Sequence, residues 1–513
     1  MQIKSLTALC LLAFQAAAFA GPGTGAGTTN SSQMDALLAR VNALQAEVDA
    51  MRANGANASS ISKSTVAGSA QVTTTQPQDA ATDGEGSMRE QVSNMALKVD
   101  SLEDAASTGP LANLSVTGYL DPVYLFNRAQ HSSGFQFVNH DPGVYDYYNS
   151  TIGDVYLDIK KSFGVGPLAP AAEFVIQPNR GFGSVFANER GGVGNNIFTQ
   201  ADITVPLNSL YTFEAGLMTG LAGYEVQPSN QMLMLTHNLL YDFSEPGNIV
   251  GVGLKGSNAT YTHLWQVILG NEQVHTAASI VNAPNNTTKS NVTPTLMGRF
   301  DDVLSTALDI GVSGTIGRQT LFSQCPTAGG YGYQCNASSP FGMDRYIETD
   351  LTYTKDKYQL NAQLDYGQLQ KGAWNGGTAK WYGISLLGYR KWTSAWFGHM
   401  GASLRADYLN DTANGGGGSD ILYGTSAATP AGDGANGFGI DPACLSASTN
   451  NGSACKGAAH YDITTDLLFY PTPQITVKLE YRHDQANHAV FLYSNGSYSR
   501  SNDIAATQFI YAF

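Results

Sequence analysis

The chain has 513 residues, of which only 13% are Asp, Glu, Lys or Arg, about half the ~25% usual for soluble globular proteins. Glycine is abundant at 56 residues, Tyr outnumbers Phe by 26 to 21, and 41 acidic residues against 27 basic ones give a formal charge of −14. That acidic balance argues against nucleic-acid binding, which needs clustered Lys and Arg. No apolar run of about 20 residues follows the first twenty positions, which excludes a polytopic helical membrane protein. A low-charge chain rich in Gly and Tyr, with a mean hydropathy of −0.16, has the composition of a transmembrane β-barrel.

Residues 1–20 read as a secretory signal. Lys4 supplies the positive start, Leu6 to Ala18 the apolar core, and Ala18-Phe19-Ala20 a small-x-small cleavage site before Gly21. Cys10 does not make a lipoprotein signal, because Leu9 precedes it where a small residue is needed. The remaining four cysteines fall into two close pairs, Cys325 with Cys335 and Cys444 with Cys455. Three connectivities are open. Export to an oxidising compartment favours local pairing within each Gly/Ser/Asn-rich segment, so two loop-stapling disulfides, Cys325–Cys335 and Cys444–Cys455, are expected. The spacings suit metal binding poorly.

Residues 21–110 read as a helical stalk with a flexible linker. Met34, Leu37, Val41, Leu44, Val48 and Met51 step by three and four, and Met88, Val92, Met95, Val99 and Leu102 do the same. This is an a/d heptad seam, predicting helices over about 32–53 and 87–106, the second opened by the capping box of Ser87 and Glu90. A seam of about three heptads is marginal alone and should self-associate. Between them, 53–86 is rich in Ala, Ser, Thr, Gly, Asn and Gln, as in a flexible linker.

From 111 to 513 the chain reads in period two. Tyr358, Leu360, Ala362, Leu364 and Tyr366 alternate with Gln359, Asn361, Gln363 and Asp365, and Ile475, Val477, Leu479 and Tyr481 with Thr476, Lys478, Glu480 and Arg482. Such strands are apolar on one face and polar on the other. Sixteen of them are predicted, beginning near 114, 151, 171, 197, 211, 247, 259, 292, 304, 344, 357, 379, 397, 459, 473 and 504. Connections after even-numbered strands are brief, at Gly256-Ser257-Asn258, Asp301-Asp302, Asp356 and Pro471-Thr472-Pro473. Those after odd-numbered strands are mostly long, as at 127–150, 219–246, 318–343 and 411–457. This alternation is that of an outer-membrane barrel with short periplasmic turns and long external loops, and it puts the stalk in the periplasm. A soluble two-sheet sandwich gives no reason for it.

The chain ends Phe509-Ile510-Tyr511-Ala512-Phe513, which resembles the C-terminal recognition signal of bacterial outer-membrane barrels. Gly118-Tyr119-Leu120-Asp121-Pro122-Val123-Tyr124 resembles the first strand of OmpL-like β-barrel porins. The segment from Glu214 to Gly256 is similar to a strand-loop-strand unit of those porins and of phosphate-selective porins, and the stalk resembles that of some sugar porins. The resemblance implies a passive pore, often trimeric, delivered by the barrel-assembly machinery into a membrane of lipid and lipopolysaccharide. It implies no particular solute. The arginine ladder of a phosphate-selective pore is missing, since 219–246 contains neither Arg nor Lys.

If the apolar face of each strand meets lipid, the alternate residues face the lumen. The acidic lumen set is then Asp154, Asp158, Glu173, Asp202, Glu214, Asp309, Glu348, Asp350, Asp365, Asp407 and Glu480, against Lys160, Arg405, Lys478 and Arg482. The third long loop, in the position of a constriction, adds Glu225, Asp242 and Glu245, with His237 titratable. Carboxylates around a pore lower the barrier for cations, so cations or neutral solutes are expected to pass; the alternative is a wall merely kept hydrated. Trp381/Tyr382 and Trp392/Trp396 are expected in the interfacial aromatic girdles. No cofactor or metal is expected, and no enzyme. Ser494-Asn495-Gly496 is similar to a motif of outer-membrane phospholipases, but Leu492 stands where that family has His. His483 and Asp484, adjacent on a strand, would face opposite ways. A non-conducting barrel with an adhesive or tethering role is the competing expectation.

Overall fold

The computed structural model describes residues 112–138, 152–177, 198–272, 281–283, 287–289, 293–320, 341–373, 377–417, 437–447 and 454–513. The expected signal sequence and both expected stalk helices lie outside them. Among the described residues no helix is long and apolar enough to cross a membrane.

Among the described residues, sixteen antiparallel strands close on themselves. They are β1 (Leu114–Leu120, continued by Val123–Asn127), β2 (Ser132–Gln136, continued by Val155–Ser162), β3 (Ala171–Ile176), β4 (Phe198–Pro206), β5 (Tyr211–Met218) and β6 (Ile249–Ser257). Next come β7 (His263–Glu272), β8 (Thr295–Ser305), β9 (Leu308–Thr320), β10 (Phe341–Lys355) and β11 (Tyr358–Leu369). The last five are β12 (Ala379–Ser394), β13 (Gly398–Asn410), β14 (Ala459–Thr472), β15 (Ile475–Ala486) and β16 (Ser501–Ala512). Each strand pairs with its sequence neighbours, and β16 returns to β1 through Tyr119↔Ala512 and Val123↔Gln508. Closure removes the free edges that an open sheet would present.

The pleat sorts side chains as the alternation predicts. On β11, Leu360 and Leu364 are each 52% exposed on the outside, whereas Asp365 is 5% exposed within. A charge placed in the outer belt should therefore be costly. Leu364→Arg is expected to lose about 2–4 kcal/mol of stability in lipid, measured by denaturant titration in vesicles, with Leu364→Ile as the tolerated control.

Two connections differ from expectation. The first is a tight turn at 128–131 that brings β2 straight back along β1; the excursion falls inside β2 instead, where Val138 N–H donates to Gly153 O at 2.7 Å. The second concerns Asp301-Asp302, expected as a turn. β8 runs on to Ser305 and turns at Thr306-Ala307, because Arg299 and Asp301 form an inward ion pair at 2.7 Å. Two other brief turns fall slightly later than expected: Gly256 and Ser257 belong to β6, which turns at 258–262, and Pro471 and Thr472 to β14, which turns at Pro473-Gln474. Asp356, with φ of 55°, opens the two-residue turn between β10 and β11, a left-handed conformation that Asp tolerates.

Of the two expected disulfides, the one between Cys444 and Cys455 is formed, in the loop between β13 and β14, with the two Cα atoms 6.0 Å apart. The other differs in standing: Cys325 and Cys335 both fall in 321–340, outside the described residues, so the expected Cys325–Cys335 disulfide is not among the bonds that the structure describes.

Candidate functional site

The segment between β5 and β6, residues 219–248, enters the barrel. Ten consecutive residues show how completely: all of Met234–Phe243 are buried except Tyr241, which is half-buried. It carries a 3-10 turn, Ser229–Gln231, and a short helix, α1 (Leu239–Phe243), capped by the Asn238 side chain accepting from Tyr241 N–H at 2.7 Å.

Burying a loop strands its backbone polar groups unless the surroundings satisfy them. The wall of β13–β15 does so with charged side chains. Arg405 donates to the carbonyls of Thr236 and His237 at 2.6 and 2.7 Å, Arg482 to His237 O at 3.0 Å, and Lys478 to Ser229 O and Met234 O at 2.9 and 2.7 Å. Glu480 accepts from the N–H groups of Leu235 and Thr236, Asp466 also from Leu235, and Asp407 from Leu239. Basic side chains thus hold carbonyls and acidic ones hold amides, and the bonds from the guanidinium groups carry the extra strength of a charged donor. From β1, Tyr119 Oη accepts from Ser229 N–H at 3.0 Å.

The carboxylates expected to line a constriction are drawn into the same packing. Glu225 takes hydrogen bonds from Arg405 at 3.2 Å and Asn238 N–H at 2.9 Å, and shares one with His237 Nδ1 at 3.1 Å. Burial opposes its ionisation, yet Arg405 and His237 outweigh that and hold the carboxyl below its usual range. His237 stacks on Tyr241 with ring centroids 3.8 Å apart. Glu245 accepts from Gln363 at 2.9 Å, and Asp242 is buried in the first turn of α1.

Asp407 lies 2.9 Å from Arg405 Nε. Asp350 forms a two-pronged pair with Arg299 at 2.7 and 3.0 Å, Glu348 accepts from Ser313, and Asp365 accepts from Tyr346 Oη at 2.8 Å. Asp154 accepts from Gln177 at 2.6 Å and Asp202 from Gln200 at 2.7 Å. Glu173 pairs with Lys160 at 2.7 Å, and Glu214 with Lys255 at 2.8 Å. Asp158 and Asp309 remain half-buried on the inner wall.

Trp381 is a correction. It is 1% exposed and donates from Nε1 to Ser244 Oγ at 3.1 Å inside the barrel, whereas Tyr382 faces outward at 50% exposed. The girdle pattern fails here because α1 fills the lumen and gives an inward indole something to pack on. Two wall glycines make room: a Cβ at Gly367 would collide with the Trp381 ring, and one at Gly383 with Leu240. Leu239, Leu240 and Phe243 then join Trp381, Leu409, Phe438 and Phe491 in an apolar core within the barrel. His483 and Asp484 do face opposite ways: His483 meets Asp503 at 2.7 Å, and Asp484 receives Arg482 at 2.9 Å within.

Several inward residues were missed. Arg299 was hidden by reading 301–302 as a turn, although Leu296 and Phe300 flank it in the outward phase. Asp462, Asp466 and Asp484 carry the same signal, alternating with outward neighbours such as Ile463 and Leu467.

The sequence matches one family model, described as Protein of unknown function (DUF3138), over residues 4–513. The chain belongs to that family. No curated protein matches it. Solved structures similar to it include a loop-deletion mutant of OmpT, an outer membrane protein of Vibrio cholerae, at 8% identity and a TM-score of 0.45, covering 78% of this chain and 99% of that one. An anion-selective porin from Comamonas acidovorans is similar at 9% identity and 0.45, with the same coverage. The outer membrane channel DcaP of Acinetobacter baumannii is similar at 10% and 0.44, over 78% of this chain and 97% of that one. The barrel assignment of this family member rests on its own strand register.

Proposed function

We propose that this protein is an outer-membrane channel for passive diffusion of small hydrophilic solutes, favouring cations or neutral solutes, with loop 219–248 as its constriction. The supporting observation is a closed barrel whose wall turns apolar side chains outward and charged ones inward, with one loop held across the lumen. Carboxylates outnumber cations on that inner wall, which lowers the barrier for cations. In this reading residues 1–20 are cleaved on export, the stalk lies in the periplasm and helps three copies associate, and the C-terminal strand engages the barrel-assembly machinery. Lipid and lipopolysaccharide surround the belt, Cys325 and Cys335 staple a second external loop, and no catalysis is involved.

A second reading, a filled barrel with an adhesive or tethering role, draws on how completely 234–240 is buried. Liposome swelling separates them, because a filled barrel admits no solute. For the channel, the purified protein in a planar bilayer under a salt gradient is expected to show a reversal potential of cation sign. An anion preference would sink the selectivity.

A further inference from the structure

We infer that ion preference is set beneath the loop, by Asp158 and Asp309, rather than by the carboxylates of the loop itself; this rests on the channel reading. Two of the loop's own acids are committed, Glu225 to Arg405 and Glu245 to Gln363, and the third, Asp242, is fully buried in α1. Pairing with the Arg405 guanidinium cancels most of the charge that Glu225 would show a passing ion, and Glu245, 5% exposed, is buried away from one.

Asp158 and Asp309 stand apart in exposure: each is half-buried where the loop's acids are sealed, and neither forms an ion pair among the described residues. They stand on β2 and β9, seven strands apart in a ring of sixteen, so they occupy nearly facing walls. Both lie near the short-turn end of the barrel. Asp158 is four residues before the end of β2 and Asp309 is the second residue of β9, whereas Arg405, which clamps the loop, is seven residues into β13. The adjacent charges Lys160 and Glu173 pair with each other at 2.7 Å and largely cancel. Two carboxylates on nearly facing walls, neither in an ion pair among the described residues, concentrate hydrated cations at that end and repel anions.

The test uses the full-length protein in planar bilayers under a tenfold KCl gradient. The double variant Asp158→Asn/Asp309→Asn is expected to lower the cation-over-anion permeability ratio by roughly twofold or more, with each single variant in between. The assignment is overturned if the double variant leaves the reversal potential where it was, or if Glu245→Gln carries the larger shift. Absence of current in the unaltered protein overturns the channel reading and this assignment together, whereas a wild-type cation preference unmoved by the double variant overturns only this one.

Discussion

Arg405→Met should release loop 219–248 from the wall of the barrel. The guanidinium bonds Glu225, Thr236 O and His237 O and sits against Asp407, so its loss leaves two buried carboxylates without this cation, the Thr236 carbonyl without this donor and the His237 carbonyl with Arg482 alone. Removing one partner of a buried ion pair costs about 3–5 kcal/mol. The barrel itself should persist, because its ladder does not pass through this side chain and Lys478 and Glu480 still hold the loop's first half. The expected result is proteinase K cleavage within 219–248 in the folded, detergent-solubilised variant, where the wild type resists, and a lower thermal unfolding midpoint. Arg405→Lys should recover only part of the loss, since one ammonium cannot reproduce the planar fork. Cleavage and unfolding unchanged from wild type would show that the loop is held without this clamp.

Phe243→Ala should be nearly as costly, by a different mechanism. Phe243 is fully buried where α1 meets the loop between β13 and β14, its ring centroid 4.8 Å from that of Phe438. Truncation removes apolar burial and leaves a cavity between two loops that are not joined by a ladder, at a cost of about 3–5 kcal/mol. Amide exchange should accelerate together in 239–243 and 437–440, with little change in β10 or β11. Acceleration confined to 239–243 would mean that the second loop is anchored independently, through Ile440 and the Cys444–Cys455 staple.

Arg405 and Trp381 divide what could be read in advance from what could not. Arg405 was legible as a lumen residue, because Leu404 and Ala406 flank it in the outward phase of a period-two strand. Its task was not legible. Its acceptors are 168 and 169 residues away in the chain, and the Glu480 contacts with the loop span 244 and 245. No local period encodes such a meeting. Trp381 shows the same limit from the other side: its alternation with Tyr382 says that the two point oppositely, but which is inward depends on whether anything fills the lumen.

By itself, then, the sequence determined the scarcity of charge, the closed set of sixteen strands and the starts of strands such as those at 171, 211, 379 and 459, because pleat alternation and turn chemistry are local properties of the chain. Only the tertiary structure decided where the inward charges are used. A loop of 219–248 that enters a barrel must find a partner for every buried amide and carbonyl, and the wall cations and carboxylates opposite it supply them. The acidity that looked from the sequence like one undivided lining is therefore divided. One part, including Asp407, Asp466 and Glu480, holds the loop in place; another, including Glu173, Glu214 and Asp350, pairs with cations of the wall; and Asp158 and Asp309 form no ion pair among the described residues.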